Sequence, residues 1–133
     1  MPASKRHLTP EKTAKLVADW PSSWAGDEED EPVGRGLVVV LQPFISDLIE
    51  QDLSSATIRR HLDHLWLIGG EIIRDVNDDP ALRRKQPRQL LLDAIYDGHA
   101  PLARDLTEQE QASVDATARK LLKFLAPPKL TLP

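Results

Sequence analysis

The chain of 133 residues contains no cysteine. That excludes disulfides, thiol catalysis, iron–sulfur clusters and cysteine zinc sites together. Aromatic residues are sparse, with three tryptophans, two phenylalanines and one tyrosine. No apolar run approaches the roughly 20 residues of a membrane-spanning helix. The polar stretch Met1 to His7 lacks the apolar core of a signal peptide. The expectation is a soluble, cytoplasmic protein with no membrane contact. Enzyme signatures are missing as well: there is no phosphate loop, dinucleotide fingerprint, His-Glu-x-x-His or Gly-x-Ser-x-Gly. Asp47, Glu50 and Asp52 are spaced as a solvated helix face, and Asp75, Asp78 and Asp79 as a helix end, so neither group forms a calcium loop. A protein that is not an enzyme is expected, with no catalytic residue, metal site, cofactor or small-molecule substrate.

The length matches one domain, since domains typically hold roughly 100–150 residues. Seventeen Lys and Arg face 21 Asp and Glu, for a formal net charge of -4. That balance argues against indiscriminate grip on polyanions. The excess is local, however. Asp27-Glu28-Glu29-Asp30-Glu31 hold five acids, and outside them 17 positive charges face 16 negative ones. Mutual repulsion and the breakers Pro32, Gly34 and Gly36 predict a mobile acidic linker over 25–36. The chain then divides into an N-terminal helix plus linker (1–36), a helical bundle (37–126) and a loose tail (127–133).

No proline falls between Phe44 and Asp79, which favours long helices there. A first short helix is expected from Pro10 to Asp19, capped by Thr9. A second is expected over 37–52, because a lone apolar strand at Leu37 to Leu41 would have no partner. A third runs from Ser54 or Ser55 to about Val76, with Ile58, Leu62, Leu65, Trp66, Gly69, Ile72, Ile73 and Val76 on one stripe. A fourth spans Pro87 to Tyr96. The last opens on the capping box Thr107-Glu108-Gln109-Glu110 and buries Val114, Ala118, Leu121, Leu122 and Leu125. The fold class is therefore all-α, a single compact bundle of about five helices. Tyr96, beside Leu92 and Ile95, is expected in the core or at its rim. Gly69 and Gly70 cost about 1 kcal/mol each relative to alanine inside a helix, which predicts close approach of another helix, such as the last one.

His61 and His64 lie three residues apart on the third helix, but no further ligands accompany them and a metal site is not expected. Basic residues cluster more tellingly. Arg59-Arg60 open the third helix beside Ser55 and Thr57, and Arg83, Arg84, Lys85 and Arg88 place four positive charges within six residues. Arg119, Lys120 and Lys123 follow on the last helix. A helix start rich in Ser, Thr and Arg is a common way to hold a phosphate.

The segment Pro43 to Leu65, and within it Leu53-Ser54-Ser55-Ala56-Thr57-Ile58-Arg59, resembles the N-terminal core-binding domain of tyrosine recombinases and phage integrases. That resemblance implies a SAM-like helical bundle that clamps one side of a DNA duplex. It implies that Ser55, Thr57, Arg59 and Arg60 face phosphate, with Arg83, Arg84, Lys85 and Arg88 assisting. The catalytic domain of those enzymes, with its tyrosine nucleophile, is not in this sequence. Two functions are in view: a DNA-contacting accessory domain bound to double-stranded DNA, or a protein-interaction module, including a homodimer, anchored by Trp20, Trp24 and Trp66.

Overall fold

The computed structural model describes residues 8–103 and 105–126. The polar N-terminus with His7, and the tail over 127–133, lie outside the described residues. Six α-helices and one 3-10 turn are present among them, and no strand: α1 (Pro10–Ala18), α2 (Trp20–Trp24), α3 (Asp30–Glu50), α4 (Ser55–Asp78), the turn Pro80–Arg84, α5 (Pro87–Ile95) and α6 (Glu108–Leu125). The molecule is thus an all-α bundle.

α4 is the axis. Its stripe Ile58, Leu62, Leu65, Ile68, Ile72, Ile73 and Val76 is buried, and α2, α3, α5 and α6 all pack against it. Ser54 is the N-cap, its hydroxyl accepting from the Thr57 N–H at 3.1 Å. α6 starts on the expected capping box: Thr107 accepts from the Glu110 N–H at 3.0 Å, and the Glu110 carboxylate accepts from the Thr107 N–H at 2.9 Å. Thr9 caps α1 by accepting from the Lys12 N–H.

The acidic segment differs from expectation. The loop predicted over 25–36 ends at Glu29, and α3 begins at Asp30, so the division at residue 36 falls within a helix. Three features allow this. Pro32 sits in the first turn, where its missing N–H has no intrahelical partner to lose. Asp30 and Glu31 stand at the positive end of the helix dipole. Asp30 is also fully buried and accepts from the N–H groups of Gly26 and Asp27, from Asn77 Nδ2 and from Arg83. A carboxylate with that many donors is an anchor, not a repelling charge.

α3 continues through Pro43, which is exposed. The carbonyl that loses its partner there belongs to Val39, itself 70% exposed, so water is available to it. By length and composition α3 would pass for a membrane span. Here its Leu37, Leu41, Phe44, Ile45 and Leu48 enter the common core.

α2 was not expected as a helix, and it changes the role of the tryptophans. Trp20 and Trp24 are buried, with ring centroids 5.7 Å apart. Trp66, expected in the apolar stripe, is 39% exposed. The close approach at Gly69 is made by α2, not α6: a Cβ there would lie 2.2 Å from Cζ2 of Trp24. Trp24 Nε1 donates to the Trp66 carbonyl at 2.9 Å, and Trp66 Nε1 donates to Ser23 Oγ at 2.8 Å. Gly34 of α3 meets the other side of α2, with a Cβ position 3.0 Å from the Pro21 backbone. Tyr96 is 75% exposed at the end of α5, not in the core or at its rim.

Candidate functional site

The sequence singles out eight residues, and the fold does not bring them together. Ser55, Thr57, Arg59 and Arg60 lie in the first turns of α4. Arg83 is held at the other end, through Asp30 and Asn77. From Arg59 to Asn77 the helix rises roughly 27 Å at 1.5 Å per residue.

The second cluster is largely engaged inside the molecule. Arg83, only 23% exposed at its side chain, lies 3.2 Å from Glu29, 3.3 Å from Asp30 and 4.0 Å from Asp27. The acidic segment therefore neutralises it. Lys85 pairs with Asp93 at 2.8 Å. Arg88 donates to the Leu125 carbonyl, at the C-terminal end of α6. Arg84 is exposed and has no ion-pair partner among the described residues.

At the start of α4, Ser55 and Thr57 are half-buried. The Thr57 hydroxyl accepts from Ser54 Oγ at 3.0 Å, so Thr57 is engaged with the cap residue. Arg59 and Arg60 are exposed, without ion-pair partners among the described residues, and no acid lies in the first turn of α4. Being adjacent on a helix, they diverge. Arg59 lines a groove with Leu16, Trp20, Leu62, Asp63 and Trp66. Arg60 does not line that groove.

Between α4 and α6 lies a polar contact that helix spacing alone does not reveal. His61 Nδ1 and His64 Nδ1 are each 2.7 Å from the buried Thr117 Oγ1. With one hydroxyl proton, Thr117 serves a neutral pair when it donates to one ring and accepts from the other. Burial pushes the His61 imidazole down to about 4, and the positive charges of Lys120 and Arg60 and the neighbouring His64 push the same way. His64 is lowered too, mainly by burial, with Asp63 opposing and Arg60 assisting. No group of three or more metal-ligating side chains occurs among the described residues.

Lys120 stands one turn after Thr117 on α6, and its charge and that of Arg60 both act on His61. Lys120 and Lys123 also line a groove with Phe44, Asp47, Gln51 and Phe124. Both lysines are exposed and without ion-pair partners among the described residues. Arg60 on α4 and Lys120 and Lys123 on α6 are thus exposed cations on two helices that meet through Thr117. The lysines stand in the sequence as one basic helix face among several. The tertiary contact through Thr117 seats their helix against α4.

No protein-family model matches the chain, and no curated protein or solved structure matches it significantly.

Proposed function

We propose that the chain is a small helical module that contacts the phosphate backbone of double-stranded DNA through Arg60, Lys120 and Lys123, with Arg59 on the flank. The observation that carries this reading is that Arg60, Lys120 and Lys123 are exposed, without ion-pair partners among the described residues, on two helices that meet through Thr117. Arg83 and Lys85, in contrast, are neutralised by the chain's own acids. The all-α bundle is compatible with the SAM-like, core-binding-like architecture implied by the segment 43–65, and an accessory role to a mobile element accords with it. Phosphate contact of this kind positions a protein on a duplex without reading its sequence.

Mobility-shift titration at two salt concentrations tests the proposal. A duplex should shift at low salt and release as salt rises, because bound counter-ions are displaced. Arg59→Ala with Arg60→Ala should weaken the complex, and Lys85→Ala should not. Absence of any shift at low salt would sink the proposal.

A second reading has its own observation. Leu16 and Trp66 are exposed side by side in the groove lined by Arg59. An apolar groove with an indole is the kind of surface that anchors a protein partner or a second copy of this chain. Light scattering across a concentration series separates the two readings: a strict monomer that shifts DNA favours the first, and a dimer dispersed by Trp66→Ala favours the second.

A further inference from the structure

The groove between the end of α3 and the last turns of α6 combines an aromatic face with two free cations. It measures about 430 Å3 and is lined by Phe44, Asp47, Gln51, Lys120, Lys123 and Phe124. Phe124 is 40% exposed, which is unusual for a phenylalanine on a helix whose other large apolar residues are packed. Its ring meets Phe44 edge to face, with centroids 5.5 Å apart and planes at 61°. That contact fixes the ring while leaving part of its surface to solvent. Lys120 precedes it by one helical turn and Lys123 by one residue. Gln51 donates to Asp47 at 2.8 Å, which fixes a carboxylate at the α3 side of the groove.

A cation pair beside a rigid, part-exposed aromatic ring matches the two chemically distinct parts of a nucleotide. Phosphate is drawn to the lysines, and a base finds a π-face to stack on. Asp47 opposes a bare phosphate placed deep in the groove. It accepts, however, from the amino groups that bases carry on their edges. A flat basic patch would serve a duplex equally well anywhere, but a stacking platform is of use only where a base is unpaired.

We propose that this groove binds an unpaired nucleotide, as in single-stranded DNA or a frayed strand end, with the base on Phe124 and the phosphates on Lys120 and Lys123. The inference rests on the nucleic-acid reading above and narrows it to a substrate class. The nucleic acid held at this end of the bundle is then one with exposed bases.

Fluorescence anisotropy with three labelled probes of equal length tests it: a single strand, the corresponding duplex, and a single strand carrying abasic sites in place of bases. The intact single strand should bind more tightly than the abasic one by about five- to a hundredfold, the range expected for loss of one or two base stacks. Phe124→Ala should remove that difference while leaving duplex affinity unchanged, and Phe124→Tyr should retain it. Lys120→Ala with Lys123→Ala should weaken all three probes. Equal binding of intact and abasic strands overturns the stacking inference and leaves the phosphate-contact proposal standing. Failure of every probe to bind overturns both. The abasic comparison uses the unaltered protein, so it decides the matter even where a Phe124 variant is unstable.

Discussion

At the residue scale, the structure turns on a few positions whose surroundings distant contacts dictate. Gly69 is one. A methyl group at this position would enter the Trp24 ring, and that ring is buried and tied by its indole N–H to the Trp66 carbonyl. Gly69→Ala should therefore destabilise by roughly 1–3 kcal/mol despite the better helix propensity of alanine. At Gly70 the nearest Trp24 atom would be 3.5 Å from the new carbon, an ordinary contact. Gly70→Ala should be neutral or stabilise by up to about 1 kcal/mol. Paired thermal melts of the two variants check the contrast. Equal effects would show that α2 does not rest on Gly69.

Asp30 is the second such residue. Burial pushes its carboxyl up, but the donors Asn77, Gly26, Asp27 and Arg83 outweigh burial and hold it below the usual carboxylate range. Asp30→Ala would strand those donors and leave Arg83 with only its outer partners. A loss of about 2–4 kcal/mol in denaturant unfolding is expected. The sequence shows Asp30 only as one of five acids in a row, and nothing in that row marks which of them turns inward. Deleting Asp27 to Glu31 to strengthen DNA binding, which charge counting alone recommends, would remove this anchor and the start of α3.

The elements divide according to how local their determinants are. α1, α4 and α6 were legible because cap and stripe lie in contiguous sequence: Thr9 with Pro10, Ser54 with the run from Ile58 to Val76, and Thr107 with Glu110. α2 and the first turn of α3 were not. Both depend on partners more than 30 residues away: Trp24 on Trp66 and Gly69, Asp30 on Asn77 and Arg83. Proline, glycine and adjacent acids predict a loop when read locally, and distant donors reverse that prediction. The candidate site follows the same rule. Arg59 and Arg60 were legible from position alone. The engagement of Arg83, Lys85 and Arg88, and the packing of the Lys120 helix against α4 through Thr117, depend on contacts between elements.

The α4–α6 contact also carries a pH dependence. His61 is held at about 4 in the fold against an ordinary value of 6.5. Between those values the unfolded chain binds more protons than the folded one, so stability rises with pH there. The contribution is whole above about 6.5 and is lost as pH falls toward 4. Thr117→Val leaves both imidazole nitrogens without their partner, and a cost of about 1–3 kcal/mol is expected at neutral pH. Denaturant midpoints from pH 7 to pH 4 check the slope. A slope unchanged by His61→Gln would show that His61 does not carry it.

For the whole molecule, the net charge of -4 conceals a division of labour. Asp30 is buried against Arg83 at one end of α4, with the exposed Asp27 and Glu29 beside it, and cations without ion-pair partners among the described residues stand toward the other. An acidic protein can thus present a positive face without a positive total. The groove beside that face is bordered by Phe124, so charge and aromatic surface coincide at the same end.

We propose that Arg60, Lys120 and Lys123 together meet nucleic-acid phosphate. The most direct test is the slope of log affinity against log salt for a short duplex. Three phosphate contacts predict a slope of roughly -3, falling by about one for each of Arg60→Ala, Lys120→Ala and Lys123→Ala. A slope that is the same in all three variants as in the unaltered chain would show that these side chains do not meet phosphate.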